Sequence, residues 1–253
     1  MHLNLQITGS GAPLIIIHGL FGTLQNWSGQ TKALAEHYTV YAVDLRNHGR
    51  SPHTQTMSYP EMAADIIELM DQQGLASAHI LGHSMGGKVA MQVAMNNPQR
   101  VDKLIIVDIA PVQYPNHHSE VFAGLNAVDL EHLTSRREAD QQLSQSIPEL
   151  AVRQFLLTNL YRNEAKQFAW RMNLPTLEAC YDEISKAPCG PAFDKRVLFI
   201  KGENSDYITP GYRDQILALF PKADYRMIQG SGHWPHAEKA AIFTKLVLNY
   251  LMK

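Results

Sequence analysis

The chain has 253 residues, 45% of them apolar, and a formal net charge of −2 at pH 7. That length allows a buried core in one α/β domain with room for an insertion. Lysines and arginines are scattered along the chain, which argues against nucleic acid and favours a small-molecule partner. The apolar runs are too short for a membrane span, the first residues lack a signal-peptide pattern, and Cys180 and Cys189 are the only cysteines. We therefore expect a cytoplasmic protein with no stable membrane insertion.

Short β-branched runs alternate with segments of helical periodicity. The opening HLNLQIT alternates in polarity and predicts an antiparallel edge strand. Further strands are predicted at 13–19, 39–44, 78–83, 103–109, 196–201 and 224–230. Helices are predicted at 24–36, 60–73, 86–97, 210–220 and 238–251. This alternation is typical of an α/β fold with a mostly parallel central sheet and helices on both faces.

One interval departs from the alternation. Between Ile109 and Arg196 the sequence predicts no strand, only helices near 117–127, 135–146, 148–161 and 174–186. Because an unstructured loop of this length is rare in a compact domain, residues 112–190 are predicted to form a helical cap inserted into a core of 1–111 and 191–253. Some of its apolar residues could line a mobile lid or only pack the cap onto the core: Phe122, Leu125, Phe155 and Leu156.

A nucleophile motif follows the strand at 78–83. The sequence Gly82-His83-Ser84-Met85-Gly86 runs from strand into helix, the context in which GxSxG forms a nucleophile elbow. The glycines leave room for a sharp turn. Ser84 would then lie at a helix N-terminus, where N–H groups and the helix dipole favour a developing oxyanion.

A serine hydroxyl needs a base to become a nucleophile at neutral pH. His233 lies in the loop GSGHW after the last strand, and the chain order Ser, acid, His makes it the candidate base. His236 is the alternative, but its position is typical of a helix start.

The same reaction needs two oxyanion donors. The loop HGLFG at 18–22 follows a strand and can face the elbow. We assign one N–H to Leu20, with Phe21 as the alternative, and the other to Met85. This chemistry requires no cofactor and no metal.

Two aspartates are candidates for the acid. Asp108 ends the strand KLIIVD and should lie beside the nucleophile strand at the carboxyl edge of the sheet. Asp206 follows the next strand in GENSD, one residue later than a Gly-x-x-Asp spacing, with Ser205 in the aspartate's place. Both keep the order Ser, acid, His. The strand position favours Asp108, where a carboxylate would fix the histidine tautomer.

The sequence resembles the α/β-hydrolases, and within them the YbfF-type esterases, over essentially its whole length. The resemblance rests on HGLFG (18–22), DLRNHGRS (44–51), GHSMGGK (82–88), VDIAPV (107–112) and GHWPHAEK (232–239). It implies a serine esterase or thioesterase with a helical cap, acting on a small acyl ester or acyl-CoA. By position it implies Ser84 as nucleophile and His233 as base. It also implies that the carboxylate comes from VDIAP, which makes it Asp108, with Ser205 as a supporting hydrogen-bond partner.

Other functions share this fold. A serine at the elbow argues against dehalogenases and epoxide hydrolases, whose nucleophile is a carboxylate. Peptidase, carbon–carbon hydrolase and perhydrolase activities would use the same triad with a different pocket, and a non-catalytic ligand sensor is a further alternative. Basic residues of the predicted cap could meet CoA phosphates or form solvated helix faces: Arg153, Arg162, Lys166 and Arg171.

Overall fold

The structure, a computed structural model, describes residues 1–253. Seven strands form a central sheet in the order β1-β3-β2-β4-β5-β8-β9, and only β1 is antiparallel to its neighbour. The predicted mostly parallel α/β sheet with an antiparallel first strand is therefore confirmed. The nine strands of the chain are β1 (Leu5–Thr8), β2 (Pro13–Ile17), β3 (Thr39–Val43), β4 (Ala78–His83), β5 (Val101–Val107), β6 (Leu160–Arg162), β7 (Phe168–Trp170), β8 (Val197–Gly202) and β9 (Ala223–Ile228).

Helices cover both faces of the sheet and fill the interval between β5 and β8. They are α1 (Ser28–Leu34), α2 (Tyr59–Gln72), α3 (Met85–Asn96), α4 (Ser119–Ala127), α5 (Arg136–Leu143), α6 (Leu150–Leu157), α7 (Leu174–Ala179), α8 (Tyr181–Ser185), α9 (Arg213–Leu219), α10 (Pro235–Glu238) and α11 (Ala240–Leu251). Short 3₁₀ turns cover Leu24–Trp27, Pro98–Arg100 and Pro210–Tyr212. None of these helices is long and apolar enough to cross a membrane.

Side chains along each buried strand alternate between two apolar layers. In β2, Ile15 and Ile17 pack toward the layer that contains α2 and α3, whereas Leu14 and Ile16 pack toward α1 and α11. All four are essentially inaccessible to solvent. Strands covered on both faces read as continuous apolar runs, which is why the sequence revealed them.

The interval between β5 and β8 is not purely helical. Strands β6 and β7 form an antiparallel hairpin with Leu160 opposite Trp170. The prediction of no strand here is wrong, and the helix predicted to continue to residue 161 ends at Leu157. Three-residue strands are too short for a periodicity to emerge. We propose that residues 112–190, hairpin included, act as one cap on the core.

Strand register brings two loop-borne residues together at the carboxyl edge. His83 of β4 pairs with Val107 of β5, so Ser84 and Asp108 follow adjacent strands at the same level. The Ser84 N–H donates to the Val107 carbonyl at 3.0 Å, and the Asp108 N–H donates to the Ile200 carbonyl at 2.8 Å. The backbone thus fixes both residues before any side-chain contact is made.

Candidate active site

The turn at Ser84 is strained and tightly packed. Ser84 has φ 53° and ψ −123°, a left-handed conformation that is unusual for a residue with a side chain. A Cβ at Gly82 would lie 2.2 Å from the Gly86 carbonyl oxygen, and one at Gly86 would lie 2.3 Å from that of His18. Glycine is therefore required at both positions, and the strain presents the Ser84 hydroxyl above the end of the sheet.

Ser84, His233 and Asp108 form a continuous hydrogen-bonded chain. The Ser84 Oγ lies 3.0 Å from His233 Nε2, and His233 Nδ1 lies 2.8 Å from Asp108 Oδ2. With Nδ1–H donating to the carboxylate, Nε2 is left free to accept the serine proton. The Asp108 carboxylate is completely buried, whereas the His233 side chain is 19% exposed. This arrangement has the geometry of a nucleophile, a base and an orienting acid.

The two candidate acids have different surroundings. Asp108 also has a positive φ, 52°, and its carboxylate accepts hydrogen bonds from the Gly202 N–H at 3.0 Å and from the Ser205 hydroxyl. Asp206 is exposed and its carboxylate makes no hydrogen bond; it lines a second groove, which shares Tyr207 and His233 with the cavity at Ser84. The Ser205 hydroxyl therefore holds Asp108, while the neighbouring Asp206 carboxylate makes no hydrogen bond to His233.

Two backbone N–H groups near Ser84 have no protein acceptor. Met85 is the first residue of α3, and its N–H, like that of Leu20, donates to no protein atom. The Phe21 N–H, the alternative considered from the sequence, donates to His48 Nε2 at 3.2 Å. The structure thus leaves the Leu20 and Met85 amides available for an oxyanion and engages that of Phe21.

Neighbouring histidines support these loops, and their burial disfavours the charged imidazolium. Burial lowers the pKa of His48 to about 3 and that of His83 well below the ordinary value. His83 donates through Nε2 to the His233 carbonyl at 2.7 Å, which fixes the backbone that carries the base. His236 is buried and stacked on Trp27 at 4.1 Å, with no contact to the Ser84 hydroxyl. It does not compete with His233 in this geometry.

A cavity of about 350 Å³ opens from Ser84 and His233, within the size range of small-molecule sites. The core contributes its polar floor, and the cap contributes much of its apolar wall. The cap residues that line it are His117, His118, Glu120, Val121, Ser146, Ile147, Pro148, Glu149, Val152, Phe155 and Leu156.

The lid residues proposed from the sequence divide into two pairs. Phe155 and Leu156 line the cavity, as one interpretation of the sequence expected. Phe122 and Leu125 do not; Phe122 packs edge-on against Phe21 at 5.2 Å, and both are buried in the apolar core. For this second pair the packing interpretation is the correct one.

The basic residues of the cap point away from the cavity. Arg153 pairs with Asp140 at 2.9 Å, Arg162 lies over the Phe168 ring, and Arg171 lies over that of Tyr161. None of these residues, nor Lys166, is among those that line the cavity. Two exposed glutamates, Glu120 and Glu149, are the charged residues of its lining.

No group of three or more His, Cys, Asp or Glu side chains is arranged to hold a metal ion.

The family model described as "alpha/beta hydrolase fold" matches residues 12–240. The chain belongs to the α/β-hydrolase family. Esterase YbfF of Escherichia coli (strain K12) is 40% identical over 243 residues, which cover 96% of this chain and 94% of that protein. The sn-1-specific diacylglycerol lipase ABHD11 of Mus musculus is 39% identical over 247 residues, covering 94% and 80% respectively.

A solved structure supports the same placement within the α/β-hydrolases. A marine microorganism esterase superposes with a TM-score of 0.95, at 40% identity and 98% coverage of both chains. The resemblance to YbfF-type esterases inferred from the motifs is confirmed, and the chain is a carboxylic ester hydrolase of the esterase and lipase type.

Some residues of this α/β-hydrolase site were missed from the sequence. The Tyr207 ring stacks on His233 at 4.0 Å and 23°, and Asn159 of the cap donates to the Phe21 carbonyl. The sequence contains no signal for Asn159, because it lies 138 residues from its partner. Tyr207 follows the loop GENSD, and its closeness to the second candidate acid was the only available indication.

Proposed function

We propose that this α/β-hydrolase cleaves uncharged carboxylic esters through an acyl-enzyme formed on Ser84. The observation that carries the proposal is the chain from Ser84 Oγ through His233 to the buried Asp108, with two unpaired backbone N–H groups beside it. Each component of serine-type acyl transfer has one candidate in place.

In the first half-reaction, Ser84 Oγ attacks the ester carbonyl carbon while His233 Nε2 takes the hydroxyl proton. The carbonyl oxygen becomes an oxyanion that the Leu20 and Met85 N–H groups stabilise. When the carbonyl re-forms, the C–O bond to the alcohol breaks, and His233 gives its proton to the departing oxygen. Asp108 stabilises the imidazolium between these two transfers.

In the second half-reaction, water replaces the alcohol. His233 removes a proton from water, the resulting hydroxide attacks the acyl carbon, and the same two amides stabilise the oxyanion. Collapse breaks the bond to Ser84 Oγ, which recovers its proton from His233 and releases the carboxylic acid. The relatives are named for esterase and lipase activities, which argues against the non-catalytic sensor.

The cavity lining favours uncharged substrates over acyl-CoA. A thioester carbonyl could undergo the same attack, but the CoA phosphates would require cations, and no Lys or Arg lines the cavity. The apolar residues Val152, Phe155 and Leu156 suit an acyl chain. Acyl-CoA hydrolysis therefore has less support than ester hydrolysis at this site.

The test combines a covalent probe with a substrate panel. A fluorophosphonate should label Ser84 alone, and Ser84→Ala should abolish labelling and lower kcat for nitrophenyl esters by several orders of magnitude while the fold stays intact. Acyl-nitrophenyl and acyl-CoA substrates of matched chain length should then show preference for the esters. Labelling of another serine, or turnover by Ser84→Ala close to that of the wild type, would refute the mechanism, whereas the weak residual turnover that oxyanion donors alone supply would not.

A further inference from the structure

The Phe21 residue next to the proposed oxyanion donor is held from two sides. It has φ 60°, a left-handed conformation that a phenylalanine adopts only when its surroundings enforce it. Its N–H donates to His48 Nε2 at 3.2 Å, and its carbonyl accepts from Asn159 Nδ2 at 2.7 Å. His48 belongs to the core and Asn159 to the cap. The strained turn after Leu20 is thus held by one hydrogen bond to the core and one to the cap.

Asn159 is built into the cap backbone rather than attached loosely to it. It lies between α6 and β6; its N–H donates to the Leu156 carbonyl at 3.0 Å, and its carbonyl accepts from the Arg171 N–H at 2.9 Å. The side chain is completely buried, yet its Oδ1 has no hydrogen-bond partner. Its Nδ2 donates to the Leu156 carbonyl of the same turn at 3.3 Å and, over the shorter distance of 2.7 Å, to the Phe21 carbonyl. The bond to Phe21 is therefore the one that links the buried amide to the core.

We infer that Asn159 is a positioning residue through which the cap sets the oxyanion loop for catalysis. Without this donor the Phe21 carbonyl would lose the hydrogen bond that it accepts from the cap, and the left-handed residue would relax toward an ordinary conformation. Because Leu20 precedes Phe21 directly, that relaxation would turn the Leu20 N–H away from the oxyanion. The inference rests on the proposed function, since it assigns Asn159 an effect on the acyl-transfer step at Ser84.

The test is Asn159→Leu, which keeps the size of the side chain and removes the donor. We expect kcat for a short nitrophenyl ester to fall by about 10- to 100-fold with KM changed by less than about twofold, because a displaced donor weakens the transition state more than the ground state. A trifluoromethyl ketone analogue of the ester, which forms an oxyanion on Ser84, should lose affinity by a similar factor. A non-reactive ether analogue should bind as before.

The chain offers a matched control at a second contact between cap and core. Asn173 Nδ2 donates to Asn47 Oδ1 at 3.1 Å and to the Thr54 carbonyl at 3.0 Å, without touching the oxyanion loop. Asn173→Leu should lower the melting temperature and leave kcat within about twofold. A general loosening of the cap would instead affect both variants alike.

The inference fails if Asn159→Leu keeps its kcat, changes KM alone, or loses no more kcat than Asn173→Leu. Should Asn159→Leu not fold, Asn159→Ala and Asn159→Ser must show the same division between kcat and KM, and its absence would also overturn the inference. The variant Ser84→Ala distinguishes a failure of the acyl-enzyme proposal from a failure of the role inferred for Asn159. If Ser84→Ala turns over esters nearly as fast as the wild type, the acyl-enzyme proposal fails; if it loses orders of magnitude in kcat and Asn159→Leu is normal, only the role of Asn159 is lost.

Discussion

The core and the cap position their functional groups by different means. In the core, Ser84 and Asp108 each take a left-handed φ directly after adjacent parallel strands, and backbone hydrogen bonds fix both. The cap is held to the core by apolar packing and by hydrogen bonds between segments that are distant in the chain, such as Asn159 to the Phe21 carbonyl and Lys88 to the Ser185 and Lys186 carbonyls. The groups at the strand ends are therefore placed by the sheet itself, whereas the cap wall of the cavity is placed by contacts between distant segments.

The largest effect should come from the acid of the core. Asp108→Asn should lower kcat by about 10⁴-fold, because the amide cannot hold the tautomer of His233 that presents Nε2 to Ser84. Asp206→Asn should change kcat by less than about twofold, because its carboxylate makes no hydrogen bond in the structure. Steady-state kinetics of both variants, with melting temperatures as the control for folding, check this pair. A crippled Asp206→Asn beside a mild Asp108→Asn would reverse the assignment.

The core sheet and the turn at Ser84 could be predicted from the sequence because short, local patterns of residues determine them. Apolar runs revealed the buried strands, and Gly82 and Gly86 revealed the sharp turn from β4 into α3. The choice between Asp108 and Asp206 was harder, since both follow a strand and keep the chain order. The structure separates the two aspartates by the direction of their side chains. The Asp108 carboxylate faces the His233 ring, whereas Asp206, one residue after Ser205, is exposed to solvent.

Changes to the cap wall of the cavity should alter the preference for the length of the acyl chain. Phe155 lines the cavity and packs against Trp234 with ring centroids 5.6 Å apart. Phe155→Ala should lower kcat/KM for octanoyl esters by about tenfold, because apolar burial of the chain is lost, while acetyl esters change by less than about twofold. Phe122→Ala, whose side chain does not line the cavity, serves as the comparison. Equal losses on short and long esters would show that Phe155 only packs the cap.

The cap was less accessible to sequence reasoning for two physical reasons. Its hairpin consists of three-residue strands, too short to show alternation, and its turn depends on Lys166 at φ 61°, a conformation with no clear sequence signal. Its links to the core join residues far apart in the chain, as Lys88 and Ser185 do across 97 residues. Apolar spacing identified Phe122 and Phe155 equally, and only the packing distinguished core from cavity.

We expect Lys88, which links the core to the cap, to make the stability of the protein depend on pH. Burial lowers the pKa of its ammonium to about 7, while an unfolded lysine holds its proton to about pH 10. Between these values the unfolded chain binds more protons, so stability conferred by the wild-type residue rises with pH. The free energy of unfolding of wild type relative to Lys88→Met should therefore increase by about 1 kcal/mol per pH unit between pH 7 and 9.

Urea unfolding at pH 6, 7, 8 and 9 measures this difference, which should be flat below pH 7. Lys195→Met is a suitable control, because Lys195 also donates to two carbonyls, those of Pro98 and Val101, but is exposed. A difference for Lys88→Met that does not change with pH would show that the buried amine keeps its charge throughout.

The smallest effect should come from charge at the cavity. Glu120 and Glu149 are exposed, so their field acts through water and is screened by salt. Replacing both with glutamine should raise kcat/KM for an anionic ester, the mono-nitrophenyl ester of adipic acid, by about threefold at low ionic strength, while its uncharged methyl diester stays unchanged. The gain should disappear at 0.5 M salt.

The double change Glu131→Gln with Glu164→Gln removes the same charge from cap positions outside the cavity lining. If that variant gains as much, net charge rather than the cavity controls the discrimination; if neither gains, the apolar wall alone sets the preference for uncharged esters.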